Sequence, residues 1–177
     1  MLCARLLPGV RPYKPAAAAG ALWAAVALIL AGCGRGGAEE ASQVVRGDGY
    51  RFDAPREWNV ERTGRSAAAA EGEVDRVEVT TFPLLKAYRP AMFGAASKEL
   101  DRAAAKLARR LHGKLAWMTT VRAAGRDARS YRIDYNGKAQ EITFVLHGRR
   151  EFQLICRRAA GGDRSACRAL LSSFALA

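Results

Sequence analysis

The chain has 177 residues, with 29 Lys or Arg and 17 Asp or Glu, so its formal net charge at pH 7 is +12. This length suits one domain with a sizeable core rather than several domains. A strongly basic balance favours anionic partners such as lipid headgroups and wall polymers.

The first 32 residues have the pattern of a secretory signal peptide. The run Ala21–Ala31 carries no charge, and the residues before it include Arg5, Arg11 and Lys14 but no acidic side chain. Small residues close the run, as they do at signal cleavage sites. The run is too short to be a transmembrane anchor, because a spanning helix needs about 20 apolar residues.

Leu30-Ala31-Gly32-Cys33 resembles the lipobox of bacterial lipoproteins. The resemblance implies diacylglycerol on the Cys33 thiol, cleavage before this residue and acylation of the new N-terminus. The alternative is an ordinary signal peptide with a chance cysteine. With the lipid in place, the protein would be anchored to the bacterial cell membrane or the outer membrane, facing the periplasm or the exterior. Nucleic acid is a poor partner for such a domain.

Residues 33–43 are polar and rich in glycine, which predicts a flexible tether between the lipid and a domain at 44–177. Ten flexible residues reach about 18 Å. Removing residues 1–32 leaves 26 basic against 17 acidic residues, a net charge of +9. We therefore expect a basic domain held close to a membrane surface.

Two of the four cysteines remain after Cys3 and Cys33 are assigned to the signal and the lipid. An exported domain sits where disulfides form, which predicts a disulfide between Cys156 and Cys167. A metal site is the alternative and would need two more ligands. We expect no metal and no cofactor, since the two histidines, His112 and His147, stand apart from the cysteines in sequence.

The first part of the domain predicts short strands. Tyr50–Phe52 alternates and is ended by Pro55, and Trp58–Val60 begins a second strand. The alanine-rich and charged segment Thr63–Glu73 is interpreted as a loop. Val77–Phe82 is a strand by propensity, and Pro83 is expected to end it.

One long amphipathic helix follows. Its apolar stripe recurs at spacings of three and four residues and ends before Gly113, namely Met92, Ala96, Leu100, Ala103, Leu107 and Leu111. A second face carries a basic row of Lys98, Arg102, Lys106 and Arg110. The row is a candidate anion-binding surface; the alternative is an ordinary solvated helix face in an arginine-rich chain.

After this helix the pattern predicts an antiparallel meander and a closing helix. Asn136-Gly137 is a strong hairpin signal, because a type I′ turn needs positive φ at both central residues. Asp163 is expected to cap the last helix, which runs to Phe174 with Ala166 and Leu170 on the same face. The predicted strands are 115–121, 128–135, 139–146 and 152–156, with turns at Gly125–Asp127 and Gly148–Arg150.

The chain resembles the PsbP-like family over about residues 44–177. The motif Tyr-x-Phe-x-x-Pro-x-x-Trp at Tyr50–Trp58 is similar to the opening hairpin of that family. Gly125-Arg126-Asp127-Ala128 leading into Tyr131 resembles its central turn and strand, and Phe152–Cys156 with Leu171–Phe174 resembles its last strand and terminal helix. The resemblance implies an α+β fold, an antiparallel sheet flanked by helices in an αβα sandwich. It also implies a noncatalytic binding or assembly role.

No catalytic motif accompanies this fold class. The chain has no Gly-x-Ser-x-Gly elbow, no His-Glu-x-x-His and no phosphate-binding glycine loop. We therefore expect no enzyme activity and a module that binds an envelope protein or an anionic surface polymer. Two alternatives stay open: an envelope hydrolase using His112 or His147 as base, and a surface adhesion factor.

If the domain has a ligand groove, arginines are the expected anion contacts, because the guanidinium fork suits carboxylate and phosphate. Arg126, Arg129 and Arg132 are the candidates, and Arg129 is expected on the face of the strand opposite the other two, so all three cannot serve one site without a turn between them. Aromatic residues that would line such a groove, or else fill the core, are Tyr50, Trp58, Trp117, Tyr131 and Tyr135.

Overall fold

The computed structural model describes residues 41–177. Cys33, the predicted signal 1–32 and most of the predicted tether lie outside the described residues. Among the described residues, no helix has both the length and the apolar character needed to cross a membrane.

The described chain forms two antiparallel sheets and two helices. The smaller sheet has the order β1-β2-β9, with β1 at Ser42–Gly47, β2 at Tyr50–Pro55 and β9 at Ala175–Leu176. The larger sheet has the order β3-β4-β5-β8-β7-β6. Its strands are Asn59–Thr63 (β3), Ser66–Glu71 (β4), Asp75–Tyr88 (β5), Lys114–Ala123 (β6), Arg126–Tyr135 (β7) and Lys138–Ala159 (β8). A 3-10 turn, Pro90–Met92, leads into α1 (Phe93–Arg110), and α2 is Ser165–Ser173.

β8 consists of two antiparallel arms. The N–H of Ala160 donates to the carbonyl of Gly137 at 2.7 Å, so the two ends of β8 lie side by side. A straight strand of this length, rising ~3.3 Å per residue, would hold them about 70 Å apart. The chain therefore reverses inside β8, near Gly148, whose φ of 55° is in the left-handed region that glycine adopts freely. The first arm pairs with β7 and the second with β5, which confirms the predicted turn and meander.

The predicted hairpin turn at Asn136-Gly137 is also confirmed, because both residues have positive φ, 46° and 69°. The interpretation of Thr63–Glu73 as a loop is wrong, since β4 occupies most of it. Alanine is a weak strand former, but pairing with β3 and β5 and burial of Ala67 and Ala69 in the core outweigh that preference.

Pro83 does not end β5, which continues to Tyr88 after an irregularity in its pairing with β8. The irregularity is a β-bulge, a common place for a proline within a strand. The long helix is confirmed, and Leu100, Leu107 and Leu111 of the predicted stripe pack against the apolar cluster that contains Tyr131. Ala104 and Ala108 are buried, whereas Met92 and Ala103 are exposed.

The two helices contact different parts of the core. Tyr131 and Ile133 of β7 pack with Ala104 and Ala108 of α1 in one apolar cluster. The larger cluster contains Ala128 of β7 together with residues of β1, β2, β4, β5, β8 and α2, including Tyr50, Phe52, Phe152 and Leu170, and it also contains Phe174, which follows α2. A mostly antiparallel sheet with two helices confirms the predicted α+β class.

The disulfide between Cys156 and Cys167 is present and joins β8 to α2, with 5.4 Å between the two Cα atoms. Residues Ala38–Ala177 form one compact unit. Every buried member of both apolar clusters lies between Val45 and Phe174, so this unit contains all the apolar contacts of the described core.

We expect the double substitution Cys156→Ser, Cys167→Ser to lower the free energy of unfolding by about 3 kcal/mol, because the disulfide restricts the unfolded chain. Urea unfolding with and without a thiol reductant measures this. Reductant should lower the stability of the wild-type chain and leave the variant unchanged. Equal stability of the two chains under oxidising conditions would contradict the prediction.

Candidate functional site

Several turns of the molecule meet at one end of the large sheet. The β1–β2 turn reaches the second arm of β8, where Arg150 Nη1 donates to the carbonyl of Asp48 at 3.1 Å. The β6–β7 turn and the reversal of β8 lie together beside the start of α1. Ser42, the first residue of β1, pairs with Pro55 at the opposite end of the molecule. We call the end with these turns the basic end, after Arg65, Lys86, Arg89, Arg122, Arg126, Arg149 and Arg150.

A cleft of about 520 Å³ opens at the basic end. This volume lies within the range of small-molecule sites. Aromatic and apolar side chains form one wall, and cationic side chains form the other. The lining residues are Tyr88, Pro90, Phe93, Arg122, Gly125, Arg126, Asp127, His147 and Gly148.

Two residues singled out in the sequence meet in this cleft. Arg126 Nη1 lies in hydrogen-bond contact with Nδ1 of His147, between the start of β7 and the end of the first arm of β8. A guanidinium can only donate, so Nδ1 of His147 accepts and the imidazole carries its proton on Nε2. Two further donors thus remain for a ligand, Nε2 of His147 and Nη2 of Arg126.

Arg126 has no carboxylate partner among the described residues. Its neighbour Asp127 is paired with Arg122, with Nη1 to Oδ1 at 3.0 Å. Arg122 also donates to the carbonyl of Gly125, which closes the β6–β7 turn. The cleft therefore contains one guanidinium, that of Arg126, whose positive charge is not paired with a described carboxylate.

Tyr88 closes the aromatic wall as a neutral phenol. Burial raises the pKa of Tyr88, and the Asp127 carboxylate adds to this rise, while Arg126 acts in the opposite direction. At neutral pH the hydroxyl group keeps its proton and can donate to an anion beside Arg126.

The other arginine candidates of β7 are engaged elsewhere. Arg129 faces α1, as predicted, and donates to both oxygens of Asp101, at 2.8 and 3.1 Å. The Tyr131 hydroxyl donates to the same carboxylate at 2.7 Å. Burial and the Asp101 carboxylate together raise the pKa of Tyr131. Arg132 pairs with Asp134 at 2.8 Å and lies six residues from Arg126, about 20 Å along the strand.

The basic row of α1 stays exposed and does not join the cleft. Lys98, Arg102 and Lys106 are all solvent-exposed and, in the described part of the chain, form no ion pair. None of the three lines the cleft around Arg126, so the predicted anion-binding residues do not form one site. The row remains a predicted surface without a structural partner.

Two further cavities flank the disulfide. In the first, of about 260 Å³, the Glu141 carboxylate lies 3.0 Å from Arg164, and Ser130 and Thr143 bond each other at 2.8 Å. The second, of about 280 Å³, holds Glu57, Glu71, Asp75 and Asp163. We call this opposite end the acidic end.

The acidic end offers no metal site. Between residues 41 and 177, no group of three His, Cys, Asp or Glu side chains is placed to hold a metal. Glu78, which lies near these carboxylates in sequence, is bonded by Ser66, Arg76 and Thr80 instead. Burial acts to raise the pKa of Glu78, but these hydrogen bonds outweigh it and the pKa is lowered.

Most of the aromatic candidates are core residues rather than groove residues. Tyr50 is buried among Phe52, Phe152 and Phe174, and its hydroxyl donates to the carbonyl of Val79 at 2.7 Å. The backbone at Gly47 passes so close to Tyr50 that a Cβ there would lie 2.1 Å from the ring.

The other residues weighed as groove or catalytic residues also lie away from the basic end. Trp58 lines the cavity at the acidic end, where its Nε1 donates to Glu71 at 3.1 Å, and Tyr135 packs beside the apolar cluster of α1. Trp117 lines the cavity beside α2. His112 ends α1 with a φ of 51° and is exposed.

No protein-family model and no curated protein matches this chain. Among solved structures, the chain is similar to a solution structure of cyanobacterial PsbP (CyanoP) from Synechocystis sp. PCC 6803, with a TM-score of 0.58 and 16% identity. That match covers 84% of this chain and 99% of the cyanobacterial one. The chain has a PsbP-like fold.

A crystal structure from Bacteroides thetaiotaomicron VPI-5482 is similar with a TM-score of 0.53 and 11% identity. This match covers 77% of the chain and 48% of the other protein, so the chain spans about half of that length. At these identities the likeness concerns the fold alone.

Sequence reasoning did not find Tyr88, Phe93 or Arg122 as cleft residues. Tyr88 follows Pro83, where the predicted strand stops, and Phe93 lies outside the apolar stripe of the predicted helix. Only the strand order brings these positions to Arg126. Two prolines around Tyr88, at positions 83 and 90, are the one local signal of an irregular segment.

We expect Asp101→Ala to lower the free energy of unfolding by about 1–2 kcal/mol at pH 7, because it removes a partly exposed, charge-assisted attachment of α1 to β7. The hydrogen bond from Arg129 lowers the pKa of Asp101. Its contribution is therefore complete above the unfolded-state pKa, about 3.9. It is lost as the pH falls through the lower folded-state pKa.

Urea unfolding of the wild type and of Asp101→Ala at pH 7 and pH 3 measures this effect. The difference in unfolding free energy between the two proteins should be smaller at pH 3 than at pH 7. Asp127→Ala, which breaks a more exposed pair, is the matched control and should change stability little. An unfolding difference for Asp101→Ala that grows at pH 3 would contradict the assignment.

Proposed function

We propose that the chain is a lipid-anchored envelope module that binds an anionic group in the cleft at the basic end, without catalysis. The observation that carries the proposal is Arg126, a guanidinium in the cleft wall with no carboxylate partner in the described chain. Its contact with His147 fixes where its remaining N–H groups point.

The lining defines the chemistry of the ligand. Arg126, His147 Nε2 and the Tyr88 hydroxyl are donors, which suits a phosphate or carboxylate group. Phe93 and Pro90 supply an apolar wall for the carbon skeleton that carries the anion. The proposed ligand is therefore a small amphipathic anion or the anionic terminus of a larger envelope molecule.

The proposed cellular location of this module is argued from the sequence. We propose that residues 1–32 are a signal peptide, that Cys33 carries the lipid, including palmitate, and that the residues after it act as a tether up to β1, which begins at Ser42. The domain would then face the periplasm or the exterior, anchored to the cell membrane or the outer membrane.

We also propose the αβα layer order that the resemblance implies. It is supported by neighbouring residues of β7, since Ala128 belongs to the cluster that contains α2, and Tyr131 belongs to the cluster that contains α1.

Hydrolysis is less well supported than binding. His147 lies in the cleft, but no serine, threonine or cysteine is among the described lining residues to act as nucleophile. We expect no turnover of chromogenic ester or phosphoester substrates by the purified chain. Turnover that is lost in His147→Ala would contradict the noncatalytic proposal.

We expect Arg126→Ala to weaken binding of inorganic phosphate roughly tenfold, because it removes a charge-assisted contact. Calorimetric titration of the full chain in detergent measures the affinity. Arg132→Ala is the matched control, since this arginine is on the same strand but pairs with Asp134, and its affinity should equal that of the wild type. Equal binding by Arg126→Ala, or no binding by the wild type, would refute the site.

We expect Cys33→Ala to abolish lipid attachment, which requires the thiol. Mass spectrometry and membrane fractionation of the expressed chain measure this. The wild type should carry the mass of a lipid and sediment with membranes. A Cys33→Ala chain that keeps the added mass would show that the lipobox assignment is wrong.

A further inference from the structure

Strand β5 carries a large bulge at the basic end. Pro83 pairs with Arg150 and Tyr88 pairs with Gly148. The β5 segment between these two pairs, Leu84–Ala87, therefore has four residues opposite the single residue Arg149. Surplus residues in one strand bend it away from the ladder, and such bulges occur often next to functional sites.

The bulge presents an apolar side chain to solvent. Leu85 is 96% exposed, whereas the other exposed large hydrophobic residues range from 38% to 52%. Its backbone is fixed, because Arg149 Nη2 donates to the Leu85 carbonyl at 3.1 Å. The leucine therefore lies on a projection of β5 whose backbone is held in place by Arg149.

Exposed cations surround this projection. Lys86 and Arg89 belong to the same segment as the leucine, and Arg149 and Arg65 line the surface beside it. Asp48 and Asp127 at this end are each paired with an arginine, and Glu151, which follows Arg150 on β8, accepts a hydrogen bond from Gln153. The surface is therefore strongly positive around one exposed leucine.

We infer that this bulge docks on an anionic lipid bilayer, with Leu85 entering the boundary between headgroups and acyl chains and Lys86, Arg89 and Arg149 contacting lipid phosphates. The inference rests on the proposed function only in placing the domain beside an envelope membrane. It uses the protruding bulge rather than the cleft around Arg126.

A bilayer fits this surface better than a protein partner does. Stable protein interfaces bury about 1,200–2,000 Å² around a well-packed apolar centre, and charged residues are depleted there. The bulge offers one apolar side chain ringed by cations. Interfacial membrane binding combines buried apolar area with electrostatic attraction, and each basic residue near an anionic surface contributes about 1 kcal/mol.

Sedimentation with lipid vesicles tests the inference. The compact unit 38–177, which contains the whole described core, is mixed with vesicles of phosphatidylcholine alone or with one third phosphatidylglycerol. The wild-type unit should partition onto the phosphatidylglycerol vesicles and remain free with phosphatidylcholine. Leu85→Asp should lower the partition coefficient about tenfold or more, because it removes the buried side chain and adds a negative charge.

Met118→Asp is the matched control. Met118 is 47% exposed on β6, so Met118→Asp makes the same kind of change away from the bulge. The partition coefficient should fall much less than with Leu85→Asp. Lys86→Gln should lower it roughly fivefold, the equivalent of one cation at an anionic surface. Equal binding to both kinds of vesicle would overturn the inference, as would equal losses for Leu85→Asp and Met118→Asp.

Two outcomes separate this surface from the cleft. Leu85→Asp should bind inorganic phosphate like the wild type, and Arg126→Ala should keep its affinity for vesicles within about threefold, since Arg126 lines the cleft and is not among the cations placed at the bilayer. Loss of vesicle binding by Leu85→Asp supports the docking surface whether or not the chain binds phosphate in the cleft. Full vesicle binding by Leu85→Asp overturns the docking surface alone.

Discussion

The reversal of β8 near Gly148 positions the rest of the large sheet. It gives one segment two arms, so β7 can pair with the first while β5 pairs with the second. The arms are held together at their far ends by the bond from Ala160 to Gly137 and by Arg158, which lies 3.6 Å from the Glu141 carboxylate. The same reversal delivers His147 and Arg149 to the basic end, next to the β6–β7 turn and the β5 bulge. Both proposed surfaces therefore depend on one change of chain direction.

Each helix is attached to this sheet by a different kind of interaction. The partly exposed carboxylate of Asp101 accepts hydrogen bonds from Arg129 and Tyr131 and so holds α1 over β7. The covalent bond between Cys156 and Cys167 holds α2 against β8. Neither attachment uses the residues of the basic end, so the cleft and the bulge can vary in charge and exposure without loss of the core.

Charged side chains are distributed unevenly between the two ends of the domain. The cavity at the acidic end, near the start of β1, is lined by four carboxylates and by Arg157 and Arg158, whereas mostly cations gather at the turns of the other end. Such separation orients a protein in the field of an anionic surface. In the proposed account, the basic end is the part of the domain that meets an anionic ligand or bilayer.

Much of the fold could be predicted from local sequence signals. Asn136-Gly137 and Gly148 mark turns by their backbone requirements, and the compartment predicts the disulfide. The strand β4 could not be predicted, because its alanines acquire strand geometry only from pairing with β3 and β5.

The candidate site was predictable only in part. Arg126 and His147 stood out as residue types, but their contact depends on the strand order, and the exposure of Leu85 depends on the register between β5 and β8. Arg129 illustrates the converse, since a candidate anion contact proved to be the partner of Asp101.

The most direct test of the central claim is a map of backbone amide chemical shifts in the 38–177 unit during titration with inorganic phosphate. The account predicts that shifts concentrate at the basic end, on Arg126, His147 and Gly148, and that they saturate together. Shifts concentrated on the basic row of α1, at Lys98, Arg102 and Lys106, would show that the anion binds the helix face and would contradict the account.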